Sequence, residues 1–160
     1  MTRESENQSQ SQAVNLTSLT TYQAGVMQAS INRILQKHSD EVLKPYGITK
    51  MQWLIIGTVL DSGDAGIRLT DLAKQLDTTL SYITTAVNLL ESKGILARNE
   101  NEEDSRSKYI SINQSFLAQC EVIEATMRKS LRRTIYSYVD HEDLYTYLKV
   151  MYQLTRVDNS

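Results

Sequence analysis

A chain of 160 residues is long enough to bury one sizeable core without staples, and its single cysteine, Cys120, excludes an intramolecular disulfide framework. A formal net charge of -2 excludes a strongly basic chain, so any nucleic-acid contact has to come from the placement of charges rather than their sum. One proline and six glycines are few chain breakers, which points to a mainly helical protein.

Residues 1–15 open with MTRESENQSQSQ, polar and without an apolar segment, and read as a disordered tail rather than a secretory signal. No apolar run approaches a membrane span, so a soluble, cytoplasmic protein without membrane contact is expected. From Leu16 the pattern turns helical: Met27, Ile31, Ile34, Leu35, His38 and Val42 recur at three- and four-residue steps, until Pro45 and Gly47 stop the run. Thr49 is placed to cap a second helix carrying Met51, Trp53, Leu54, Ile55, Ile56, Val59 and Leu60, apolar on more than one face and therefore central to a core.

After the loop DSGDAGIR, Thr70 precedes a two-turn helix with Leu72, Ala73 and Leu76. A break at Asp77-Thr78-Thr79 leads into a helix marked by Leu80, Ile83, Val87 and Leu90, closed by Gly94 as a left-handed cap. The period then changes to that of strands, Ile95-Leu96 and Tyr109–Ile112, separated by a long polar tip. The last segments are helical again. Phe116, Cys120, Ile123, Met127, Leu131, Thr134 and Tyr138 share one stripe, and Asp140 is placed to cap a final helix with Leu144, Leu148, Met151 and Leu154 on one side. Cys120 lies on that apolar stripe and reads as a small buried hydrophobe, not a redox sensor. The nine tyrosines, several between Tyr136 and Tyr152, are accounted for by core and interface packing.

The central order of short helix, turn, helix and hairpin is that of a helix-turn-helix followed by a wing. The fold class expected is mainly α with a small β-hairpin, a winged helix-turn-helix whose flanking helices form a dimerisation bundle. A helix of this kind fits the major groove of B-DNA with polar residues near its start on the base edges. Ser81, Tyr82, Thr84, Thr85 and Asn88 lie away from the apolar stripe, and residues 81–90 carry no charge. Such a face suits phosphate and base contacts. On this helix alone, plain solvated surface explains it equally well.

The stretch LTDLAKQLDTTLSYITTAVNLLESKGILARNENEEDSRSKYISIN resembles the central block of the MarR family of winged helix-turn-helix transcriptional regulators. The likeness rests on LxDLAxxL, the hydroxyl-rich helix start, Leu90-Glu91-Ser92-Lys93-Gly94, Arg98, and the D-x-R of Asp104-Ser105-Arg106, and it extends over residues 16–156. It implies that Arg106 is the wing arginine approaching DNA, at the minor groove, with Asp104 orienting it or another arginine. It places Ser81, Tyr82, Thr84, Thr85 and Asn88 toward the major groove. Thr78 and Thr79 are implied as phosphate ligands through hydroxyl and backbone N–H groups. Arg98 and Lys108 on the hairpin stems are either phosphate contacts or solvated charges. This chain departs from the family at Thr85 and Leu89, where arginine is frequent, and in its wing NENEEDSRS, where Glu100, Glu102, Glu103 and Asp104 face one arginine. Acids outnumber bases over residues 49–113, which weakens binding to phosphates or makes it unusually salt-dependent.

The resulting plan is a tail (1–15), an N-terminal dimerisation helix (16–47), a DNA-binding lobe (48–113) and C-terminal dimerisation helices (114–156). Long apolar stripes at both ends call for a second copy of the chain, a homodimer on a palindromic site. The function implied is a sequence-specific regulator of transcription, a repressor, with double-stranded DNA and itself as partners. The resemblance adds a small, often aromatic, ligand that releases DNA; His38, Met51 and Trp53 lie near the expected crevice, yet each is explained by packing, and the ligand site is unknown. No cofactor or metal is expected, since His38 and His141 are too few for a cluster. An enzyme is not expected, for want of a phosphate loop, a nucleophile motif or metal spacing. The rival is a protein-binding winged helix that does not bind DNA, which the acidic wing favours.

Overall fold

A computed structural model describes residues 16–100 and 108–157. It divides into two units between Ile34 and Leu35. In the first, Leu16–Ser18 form a 3₁₀ turn and helix α1 (Thr21–Leu43) begins only at Thr21. The start lies later than the apolar pattern suggests because Thr20 and Gln23 make a reciprocal cap. Thr20 Oγ1 accepts from the Gln23 N–H at 3.2 Å, and Gln23 Oε1 accepts from the Thr20 N–H at 3.0 Å.

The second unit takes in the end of α1, α2 (Lys50–Asp61), β1 (Ile67–Arg68), α3 (Leu69–Gln75), α4 (Leu80–Ser92), β2 (Leu96–Glu100), β3 (Lys108–Ile112), α5 (Leu117–Thr134) and α6 (His141–Leu154). The fold is mainly helical with a small antiparallel sheet, as expected, but the sheet has three strands in the order β1-β3-β2 rather than a bare hairpin. The added strand is two residues long and pairs Ile67 with Ile110 and Arg68 with Tyr109. On the other side of β3, Leu96 pairs with Ile112 and Arg98 with Ile110.

Stops and starts follow local chemistry. Gly47 (φ 68°) ends the 3₁₀ turn Lys44–Tyr46 that contains Pro45. Thr49 caps α2 through a full capping box with Gln52. Gly94 (φ 70°) closes α4 by donating to Glu91 O at 2.8 Å while Ile95 N donates to Leu90 O at 3.0 Å, a paired termination that only a left-handed residue allows at low strain. Asp140 caps α6 by accepting from Asp143 N at 2.8 Å. Two expectations are corrected. Leu69, not a residue after Thr70, opens α3, and Tyr138 is not on the long stripe of α5, which ends at Thr134 before a separate 3₁₀ turn, Tyr136–Tyr138.

The core joins α2, α3, α4, the sheet and α5. Ile55, Ile56, Leu72, Ile83, Leu90, Ile110 and Ile123 are fully buried in it. Each such side chain contributes roughly 1.5–3 kcal/mol through removal from water. Cys120 belongs to this core, and burial pushes its thiol above the ordinary range. By contrast α6 buries no side chain among the described residues, and Tyr145, Leu148, Val150, Met151, Tyr152 and Leu154 lie open along it. No helix among the described residues is long and apolar enough to cross a membrane.

Candidate nucleic-acid interface

The turn between α3 and α4 is built around Asp77, which adopts φ 47°. A short polar side chain tolerates this left-handed region better than a branched one. The following Thr78 N–H donates to Ala73 O at 3.0 Å, closing the turn onto α3. Thr79 then caps α4, its hydroxyl accepting from the Tyr82 N–H at 3.2 Å. Part of the oxygen that was expected to meet phosphate is therefore engaged in the fold itself. Thr79→Ala is expected to lower stability in urea denaturation by about 1 kcal/mol, and Thr79→Ser to retain most of it. A threonine used only as a phosphate ligand would leave the midpoint unmoved.

Helix α4 turns Ile83, Ala86, Val87 and Leu90 inward. The opposite side leaves Ser81, Tyr82, Thr85 and Asn88 exposed and Thr84 half-buried, so none of the described residues covers the face singled out from the sequence. The two threonines are oriented by their own helix: Thr84 Oγ1 donates to Leu80 O at 2.8 Å and Thr85 Oγ1 to Ser81 O at 3.1 Å. Their hydroxyl protons are turned back, and what they offer outward is oxygen lone pairs and methyl groups.

Arg98 is not a solvated charge. From β2 it reaches across to α4, where Nη2 donates to Asn88 Oδ1. Its Nε lies 2.9 Å from Glu91 Oε2, an ion pair of partly buried groups in which the N–H is not aimed at the oxygen. In the sequence Arg98 and Asn88 stand apart, and Glu91 is missed as the residue that pairs with Arg98. The signal was present in the spacing, since Glu91 stands one helical turn after Asn88 and Arg98 returns on the next strand. Arg68 was also missed. It sits on β1 beside β3, donates from Nε to the Tyr109 hydroxyl at 3.0 Å and places its guanidinium carbon 5.3 Å from that ring's centre. Lys93 Nζ donates to Gly47 O at 2.7 Å and ties the end of α4 to the loop before α2. Lys108 opens β3 opposite Glu100. Asp104 and Arg106 lie outside the described residues.

Of the residues placed near a ligand crevice, Trp53 lines a groove of about 500 Å³ between α2 and α5, with Leu54, Gly57, Asp61, Glu124 and Arg128. Met51 does not line it. His38 instead faces α5, its Nε2 3.0 Å from Ser130 Oγ and 3.2 Å from Thr134 Oγ1. No group of metal-ligating side chains occurs among the described residues.

Helix, turn, helix and a sheet with α4 exposed beside it define a winged helix-turn-helix protein. The MarR-family model matches residues 46–107, beginning at the 3₁₀ turn that precedes α2. Over these residues the chain is similar to the MarR family. It is 23% identical over 112 residues to the HTH-type transcriptional regulator PrsX of Escherichia coli, covering 70% of this chain and 67% of that one. In fold it is similar to AbsC, a MarR family transcriptional regulator from Streptomyces coelicolor, with a TM-score of 0.72 at 22% identity over 86% of this chain and 95% of that one. A mutant MarR of Escherichia coli in complex with operator DNA gives a TM-score of 0.72 at 22% identity, over 81% of this chain and 91% of that one.

Proposed function

We propose that this protein is a transcriptional regulator that binds double-stranded DNA sequence-specifically, as a homodimer on a palindromic operator and acting as a repressor, rather than an enzyme. The observation that carries the reading is the uncovered, uncharged face of α4, Ser81 to Asn88, beside the sheet that leads into the wing. A helix presenting hydroxyls, methyls and one amide can approach a duplex without the repulsion that surface carboxylates would bring. The match of residues 46–107 to the MarR-family model and the operator complex of a structural neighbour support it. The unburied apolar side of α6 supports the homodimer. Thr78, Thr79 and Lys108 are assigned to phosphates, and Arg106, oriented by Asp104, to the groove beside the wing. The α2–α5 groove is the candidate place for a small aromatic effector, and the cytoplasm the compartment.

The test is an anisotropy titration with DNA from upstream of the protein's own gene, repeated across salt concentrations. Specific binding that weakens steeply with salt is expected. Arg106→Ala should cost about tenfold or more in affinity, and Thr84→Ala a smaller loss. The acidic residues Glu100, Glu102, Glu103 and Asp104 favour a second reading, a winged helix that binds a protein partner and no DNA. Unchanged DNA affinity in both variants would establish that reading instead.

A further inference from the structure

We infer that Asn88 reads one base of each half-site as a hydrogen-bond donor only, because Arg98 fixes which end of its amide faces outward. The inference rests on the DNA-binding reading above. A guanidinium carries donors and no acceptor, so the Asn88 atom that meets Arg98 Nη2 has to be the carbonyl oxygen. The assignment of the amide is therefore forced by chemistry and is not a free choice between two rotations.

Arg98 is itself held. Glu91 sits against its Nε, and its backbone is fixed in the ladder opposite Ile110, a fully buried residue of β3. The Asn88 oxygen is drawn toward β2, and the –NH₂ group, with two protons, is the end left for a partner. Its neighbours do not compete for that role, since Thr84 and Thr85 have given their protons to Leu80 O and Ser81 O. Asn88 thus supplies a directed donor from the middle of an open face.

The consequence for base choice follows from the major-groove edges. An unrestrained asparagine pairs with adenine through oxygen and nitrogen together, accepting from N6 and donating to N7. With its oxygen committed to Arg98, the amide is left to seek an acceptor, which guanine offers at N7 and O6, thymine at O4, and adenine at N7 alone beside its N6 donor. Cytosine, which presents an amino group, is disfavoured. Arg98 is in these terms a positioning residue that sets specificity through Asn88.

The experiment is selection of randomised duplexes by the full-length protein, comparing the unaltered chain with Asn88→Ala, Asn88→Asp and Arg98→Gln. Wild type should enrich guanine or thymine over cytosine at one position per half-site, and Asn88→Ala should flatten that position alone. Asn88→Asp keeps the grip of Arg98 and replaces the outward donor with an acceptor, so cytosine should rise there about tenfold. Arg98→Gln should let adenine rise at the same position while the others hold. The inference is overturned if Asn88→Asp leaves the preference as in wild type. It is equally overturned if Arg98→Gln weakens all sequences alike without changing that position, which is what a merely structural brace would do. Failure of the unaltered protein to enrich any sequence removes the DNA reading itself, and this inference with it.

Discussion

Gly66→Ala is expected to destabilise the winged-helix unit by about 3 kcal/mol, near the upper end for a one-carbon change. Two independent effects add at this position. The backbone adopts φ 68° and ψ -176°, a region open essentially to glycine alone. A Cβ built there would stand 2.7 Å from Ile110 O and 3.3 Å from Tyr109 Cβ. The obstructing oxygen belongs to the backbone of the central strand and cannot swing aside. Relief would require β1 to move off β3, breaking the pairing of Ile67 with Ile110, both buried. The comparison that separates the two effects is Gly63→Ala. Gly63 also has positive φ (62°) but meets nothing within 4 Å, so its alanine variant should lose only about 1 kcal/mol from strain. Urea denaturation at one protein concentration, read as a shift of midpoint at constant slope, decides between them. Equal losses at the two positions would mean that the close approach to Ile110 contributes nothing.

Why Gly66 was not legible in the sequence is instructive. The glycine stands in a segment that reads as loop, and the strand it introduces, Ile67–Arg68, is too short to show a period of two. Its partner residues lie more than forty positions on, at Tyr109 and Ile110, so nothing local announces the pairing. The features that did read correctly are the local ones. Thr49, Asp140 and Gly94 each act through N–H or C=O groups within a few residues, and the capping chemistry is written in that short span. The boundary at Thr134 shows the limit of periodicity. No glycine or proline marks it, and the apolar step continues to Tyr138, yet the chain must turn extended at Val139 before Asp140 can cap α6. The exposed face of α4 was legible because its complement, Ile83, Val87 and Leu90, is a clear stripe. The Arg98 contact to Asn88 was not, because it depends on how β2 is laid against α4, and that is set by the core beneath them.

Leu148→Glu in α6 is expected to leave the winged-helix unit folded, to convert the protein from dimer to monomer, and to lower affinity for operator DNA by about a hundredfold or more. Ordinarily a charge placed on a large apolar side chain destabilises the fold by being buried. Here Leu148 is 45% exposed within one chain and Met151 39%, so glutamate finds water in the monomer. The penalty appears only when a second copy covers that side, where the same carboxylate would be buried without a partner. The DNA loss is larger than any single contact because a twofold pair binds two half-sites at once, and a monomer forfeits the high effective concentration of the second lobe. Lys149→Glu, one residue on and on a different side of the helix, keeps α6 helical and should preserve both dimer and affinity. Sedimentation velocity gives the mass, thermal melting reports the unit's integrity, and the anisotropy titration gives the affinity. A Leu148→Glu protein that sediments as a dimer with full DNA affinity would show that α6 does not carry the contact between copies, and the exposed apolar row of Tyr145, Leu148 and Tyr152 would then need a different partner.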